Sequence, residues 1–209
     1  MSLVIALTGF PGTGKLTVAR SIAAEVERSG GVAVVVDNHS INNPIFGLID
    51  QDGITPLPSE VWDRVGDVTR AVFKTVETLT PHDWDVVFTA YLDGVTDTGW
   101  LPALARIAEQ RGATLVPVRL LCDPTEIARR IVEPERRAQM KSIDPDLPYR
   151  LAEAGSPHDS GMPNSLTIDV TRLPPLDAAR AILQHARSIT WAAPSGTSNA
   201  PDMTGSGTT

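Results

Sequence analysis

One stretch constrains this chain more than any other: LTGFPGTGKLTVAR, residues 7–20, which sets Gly9, Gly12 and Gly14 around Pro11 and just ahead of Lys15. Before it, LVIAL (3–7) is a short continuous apolar run, as expected of a central strand buried on both faces. After it, Val18, Ile22, Ala23 and Val26 recur at helical spacing until Gly30 and Gly31 stop the pattern near Arg28. Gly9-x4-Gly14-Lys15 between a buried strand and a helix is the setting of a phosphate loop. Glycines let successive N–H groups converge on phosphate oxygens, and the helix N-terminus adds favourable partial charge. Lys15 adds a full charge for the outer phosphates. Gly9, Gly12, Thr13, Gly14, Lys15, Leu16 and Thr17 are therefore the expected nucleotide-binding positions.

The rest of the chain alternates strand-length apolar runs with helical periodicity, the pattern of a parallel α/β sheet. Strands are expected at 32–36, 84–92, 114–122 and 165–170. Helices are expected from Ser59, as cap, to about Leu79, from about Gly99 to Arg111, from Asp123 to about Val132, and from Leu176 to Ile189. Residues 38–58 read as a loop with room for a short helix near 45–49. Residues 133–163 carry charges, prolines and glycines without periodicity and read as a mobile lid, or as a plain surface loop. The expected fold is a three-layer αβα sandwich around a five-stranded parallel sheet. Residues 1–189 form its one domain, and 190–209 are a disordered tail too poor in apolar side chains to fold.

Composition narrows the chemistry. At 209 residues one domain can bury roughly 70% of its unfolded surface. A net charge of −7 argues against a broad nucleic-acid or anionic-membrane surface, so an anionic ligand needs a local cluster of donors. The single cysteine, Cys122, leaves no internal disulfide and no cysteine metal site, which suits the cytoplasm. No run approaches the roughly 20 apolar residues of a membrane span. Of 18 cationic side chains only Lys15, Lys74 and Lys141 are lysines, which makes a chance lysine at position 15 less expected.

With the loop and five strands in hand, G-x-P-G-x-G-K-x-T resembles the loop of the adenylate kinase–shikimate kinase group of P-loop small-molecule kinases. GKLTVAR, Asp37-Asn38-His39, Cys122-Asp123-Pro124 and Arg129-Arg130 are similar to a branch of that group labelled AAA-family ATPases. The resemblance implies a kinase that binds ATP and magnesium. The hydroxyl that commonly follows the loop lysine and holds the metal is replaced by Leu16, a feature shared with monophosphate kinases, and Thr17 comes one place later. Asp93, in Leu92-Asp93-Gly94, resembles an aspartate that holds a metal-bound water, the alternative being a turn residue. Thr17 and Asp93 are thus the metal-side candidates.

Asp37 resembles the aspartate of shikimate- and gluconate-type kinases that orients an acceptor hydroxyl and takes its proton. Asn38 and His39 beside it suit a polar, hydroxyl-rich acceptor, unless the run is a solvated loop. Residues 37–47 contain no Arg or Lys, which argues against a nucleotide acceptor. Arg130 resembles an arginine that stacks on adenine, and Thr171 lies in the matching adenine-side loop. Arg136 and Arg137 resemble lid arginines that reach the transferring phosphoryl group, against the alternative of a solvated face offset by Glu133 and Glu135; Lys141 and Arg150 are weaker lid candidates. Trp62, Trp84 and Trp100 read as packing residues. The expected activity is ATP-dependent phosphorylation of a hydroxyl on a small polar molecule. The rivals are a nucleotide switch acting on a protein partner and a module that binds nucleotide without chemistry. The sequence leaves the acceptor and the oligomeric state open.

Overall fold

The computed structural model describes residues 2–92 and 99–192. Its centre is β1 (Leu3–Thr8), buried along its whole length. Side chains alternate across a strand, so Leu3, Ile5 and Leu7 point to one layer and Val4 and Ala6 to the other. The first layer is α1 (Lys15–Arg28) with α8 (Pro175–Ala192), whose Val18, Ala19, Ile22, Ala179 and Ile182 close on β1. The second is α3 (Ser59–Thr78) with α4 (Trp100–Arg111), which contribute Phe73, Val76, Leu104 and Ile107.

Around β1 the sheet runs β2 (Ala33–Val36), β3 (Asp85–Ala90), β1, β4 (Thr114–Leu121), β5 (Leu166–Asp169), with every neighbouring pair parallel. Because β1 sits between β3 and β4, the connections leaving β1 and β2 open on one edge of the sheet. That edge is where ligands bind in open parallel sheets. Among the described residues no helix is long and apolar enough to cross a membrane.

Two segments differ from the sequence-based expectation. Residues 38–46 form α2 (Asn38–Phe46), a helix that starts directly after β2 and carries Pro44 inside it. Its polar composition hides the helix, because only Ile41 and Phe46 are buried apolar positions, and these pack on Val65 of α3. Residues 133–163 contain two short helices, α6 (Pro134–Ala138) and α7 (Leu147–Ala154), after α5 (Pro124–Ile131). The segment leans on α2 through Met140 and through the Asn43 side-chain amide, which donates to the Gln139 carbonyl at 3.3 Å. Ser59 is the first residue of α3 and makes no cap, the capping position being Pro58. α8 continues three residues beyond Ile189.

Polar contacts lock the layers. Arg111 is buried, and its guanidinium donates to the carbonyls of Val76, Thr80, Pro81 and Trp84 at 2.8–3.0 Å, tying the end of α3 to the entry of β3. Glu25 on α1 is paired with Arg28 and, across the layer, with Arg180 of α8. Hydrogen bonding by Arg28 leads the causes that hold the Glu25 carboxyl at about 2, below its ordinary 4.5. A depressed folded-state value stabilises the fold above the unfolded value and loses that contribution as pH falls through the folded one. Glu25→Gln is therefore expected to lower the urea midpoint by an amount constant from about pH 8 to 5. Below about pH 4.5 the difference from the parent shrinks as the carboxyl in the parent's unfolded state takes up its proton. A difference independent of pH down to pH 3 would remove the charge of Glu25 from the account.

Candidate active site

The loop between β1 and α1 is a backbone cradle. Gly12 and Gly14 have φ of +92° and +95°, which L side chains rarely adopt, and a Cβ at Gly12 would lie 2.6 Å from Ile127 Cγ2. Thr13 is buried, and its hydroxyl and its backbone N–H both donate to the Phe10 carbonyl, at 2.9 and 3.3 Å, so it braces the loop from within. The first helical bond of α1 is Val18 N–H to the Gly14 carbonyl at 3.0 Å. The amides of Lys15, Leu16 and Thr17 therefore precede the ladder, as donors for an anion at the helix start. Lys15 Nζ donates to the carbonyls of Gly9 and Phe10 at 2.7 and 2.9 Å. Burial, helped by the charge of Arg136 and opposed by Asp37, brings its ammonium down to about 7 from 10.5.

The loop opens on a cleft of about 900 Å³ that also takes in α2, the start of α3 and the 133–163 segment. Asp37, 8% exposed, directly follows β2 and is the N-cap residue of α2. Its carboxylate accepts the Thr89 hydroxyl at 2.6 Å, and Thr89 in turn accepts the Asn38 amide at 3.2 Å. Thr89 is the residue that sequence reasoning missed. The available signal was a hydroxyl in the otherwise apolar run VVFTA, where it is 2% exposed. His39, the second residue of α2, is held down to about 4 by burial and then by the charge of Lys141, with Asp37 and the Asn43 side chain pulling the other way. Near neutral pH this imidazole is uncharged.

Arg130 on α5 occupies a junction. Its guanidinium reaches the carbonyls of Thr13 at 3.2 Å, Val170 at 3.3 Å and Thr171 at 3.1 Å, while Nε pairs with Glu126 at 2.7 Å. The phosphate loop and the turn after β5 are thereby fastened to one planar group. Thr171 sits in the turn after β5 but is not itself among the residues lining the cleft. Its hydroxyl accepts the Asp123 amide at 2.9 Å, and Val170, Leu173 and Pro175 line the cleft beside it.

The structure separates the two lid arginines. Arg136 is half-buried and lines the cleft, with Nε and Nη2 both donating to the Ser142 carbonyl, whereas Arg137 is exposed and is not among the lining residues. The tight turn that follows brings Lys141 into the same cleft, within electrostatic reach of Asp37 and Arg136. The part of the cleft beside α2, a helix without a cation of its own, thus receives one from a segment a hundred residues later. Leu16 and Thr17 both line the cleft; Asp93 lies outside the described residues. Trp62 also departs from its expected packing role, being 49% exposed on the cleft wall, while Trp100 packs on Phe73 and Phe88.

No protein-family model and no curated protein matches the chain. Solved structures do. A kinase candidate from Chloroflexus aurantiacus aligns at a TM-score of 0.63 and 18% identity over 90% of this chain and 96% of its own. This chain has the fold of the P-loop small-molecule kinases. The APS kinase CysC of Mycobacterium tuberculosis, solved with AMPPNP and APS, aligns at 0.59 and 14% identity over 89% of this chain and 98% of its own. A gluconokinase from Sinorhizobium meliloti aligns at 0.56 and 16% identity over 91% and 97%.

Proposed function

We propose that this chain is a cytoplasmic ATP-dependent kinase that phosphorylates a hydroxyl group of a small molecule. The observation that carries the reading is the placement of Asp37, fixed by Thr89 at the sheet edge and within electrostatic reach of Lys15. The loop amides and Lys15 hold the nucleotide phosphates, and Arg130 with the turn after β5 forms the base end of the site. The acceptor hydroxyl hydrogen-bonds to Asp37, which takes its proton as the oxygen attacks the terminal phosphorus and ADP leaves. Arg136 and Lys141 spread positive charge over the equatorial oxygens of a loose transition state. Arg137, outside the cleft, has no part in this step.

Magnesium fits the residues present. The ion in such sites draws most of its ligands from phosphate oxygens and water, so the absence of a three-ligand cluster among the described residues is compatible with it. Thr17 is the hydroxyl on the cleft side of α1, and the ion would neutralise phosphate charge there.

The reading is tested by ADP release from Mg·ATP with and without a small-molecule cell extract, with Lys15→Ala as control. Release that depends on the extract and vanishes in the variant is the expected result. Equal release in both conditions would instead mark a hydrolase or switch acting on a protein partner.

A further inference from the structure

The kinase reading fixes where the reacting hydroxyl must lie, and the walls beyond that point describe the rest of the acceptor. His39, Asn42 and Phe46 stand at i, i+3 and i+7 on α2, one face of the helix, and all three line the cleft. The His39 and Phe46 rings meet edge-on with centroids 6.5 Å apart, and Phe46 meets Trp62 of α3 at 5.8 Å and 83°. These rings form a ladder along the cleft wall from His39, two residues after Asp37, to Trp62. Phe46 is buried under it, but Trp62 is 49% and Ile54 56% exposed, and both share the cleft with Leu57 and Met140.

Large apolar side chains left open on a concave wall, next to a few convergent polar groups, describe a ligand surface more than a solvated one. The wall is continuous with Asp37 inside one cleft, so its occupant is the molecule whose hydroxyl reaches Asp37. We propose that the acceptor carries a flat apolar body, an aromatic ring or comparable hydrocarbon, which lies against Trp62 while its hydroxyl meets Asp37. Polyols without such a body are then poor acceptors, in contrast to the hydroxyl-rich compound that Asn38 and His39 suggest from sequence. The specificity-determining residue is Trp62, through ring packing and removal of its exposed face from water.

The test pairs compounds that share their hydroxyls and differ in the ring: 1-phenyl-1,2-ethanediol with 1,2-propanediol, and further aryl diols with matching alkane diols. Binding is measured by calorimetry on the full chain saturated with a non-hydrolysable ATP analogue, in the parent, Trp62→Ala and Trp62→Phe. The aryl compounds are expected to bind at least about tenfold more tightly than their partners, to lose that advantage in Trp62→Ala and to regain most of it in Trp62→Phe. Unaltered nucleotide binding shows that each variant is folded. Equal binding of the two classes, no binding of the aryl class, or a preference that survives Trp62→Ala overturns the proposal. ADP release on the same panel separates the two readings. Trp62-dependent binding without ADP release leaves the surface standing and removes the kinase reading, whereas polyol-dependent release indifferent to Trp62→Ala does the reverse.

Discussion

Asp37→Asn is expected to lower acceptor-dependent turnover about 10²–10⁴-fold, the range of a positioned general base, while leaving the dissociation constant of an ATP analogue within a few-fold of the parent. The amide fills the volume of the carboxylate and can still accept the Thr89 hydroxyl, which donates at 2.6 Å in the parent. Local packing is therefore kept, and what disappears is the anionic acceptor for the hydroxyl proton. His39 does not replace it, since burial and Lys141 bring its imidazole to about 4. At that value the ring is neutral but a weak base for an alcohol. Single-turnover measurement at saturating acceptor isolates the chemical step, so weaker acceptor binding does not imitate the effect. Thr89→Val serves as the companion variant. It keeps the carboxylate but frees its rotamer, so a smaller loss of turnover is expected, again with nucleotide binding retained. Full turnover in Asp37→Asn would remove the residue from the proton transfer and leave it as part of the acceptor wall.

The parts of this site that were legible in the sequence are those where one local pattern dictates the geometry. Gly9-x4-Gly14-Lys15 between an apolar run and a helical period determines a loop conformation by itself. Asp37 follows from its place directly after a parallel strand, because the end of such a strand is delivered to the ligand-bearing edge. The αβα layers were equally readable, since β1 carries apolar residues on both faces. Residues whose placement depends on tertiary meeting were not legible. α2 fully buries only two apolar side chains, Ile41 and Phe46, too few to give a period, so its polar run reads as loop. Arg136 and Arg137 are adjacent and chemically alike, and only the turn to Ser142 decides which of them enters the cleft. Trp62 fits the amphipathic pattern of α3 like any core position, yet it stands where that helix meets the cleft and α2 covers only its edge.

Lys15→Ala is expected to weaken binding of an ATP analogue by about 1.5–3 kcal/mol, the scale of hydrogen bonds to a charged group, and to remove a pH dependence that the parent shows. In the ligand-free chain the ammonium is brought to about 7, chiefly by burial, and it rests on the Gly9 and Phe10 carbonyls. A bound polyphosphate favours the charged form and moves that value up again. Below about pH 7 Lys15 is charged with or without nucleotide, so its titration leaves affinity unchanged there. Above pH 7 the free chain loses the proton and must recover it on binding. Affinity then falls by up to about tenfold per pH unit until the value of the complex is reached. Between about pH 7.5 and 9 the nucleotide phosphates, with a second dissociation near 6, are already ionised, so the slope in that window belongs to the protein. Calorimetry in two buffers of different ionisation enthalpy should register net proton uptake in the parent and none in Lys15→Ala. A parent affinity flat from pH 7.5 to 9 would mean that the lysine enters the complex with its proton already bound, and the loop carbonyls would then be holding a charged ammonium in readiness for phosphate.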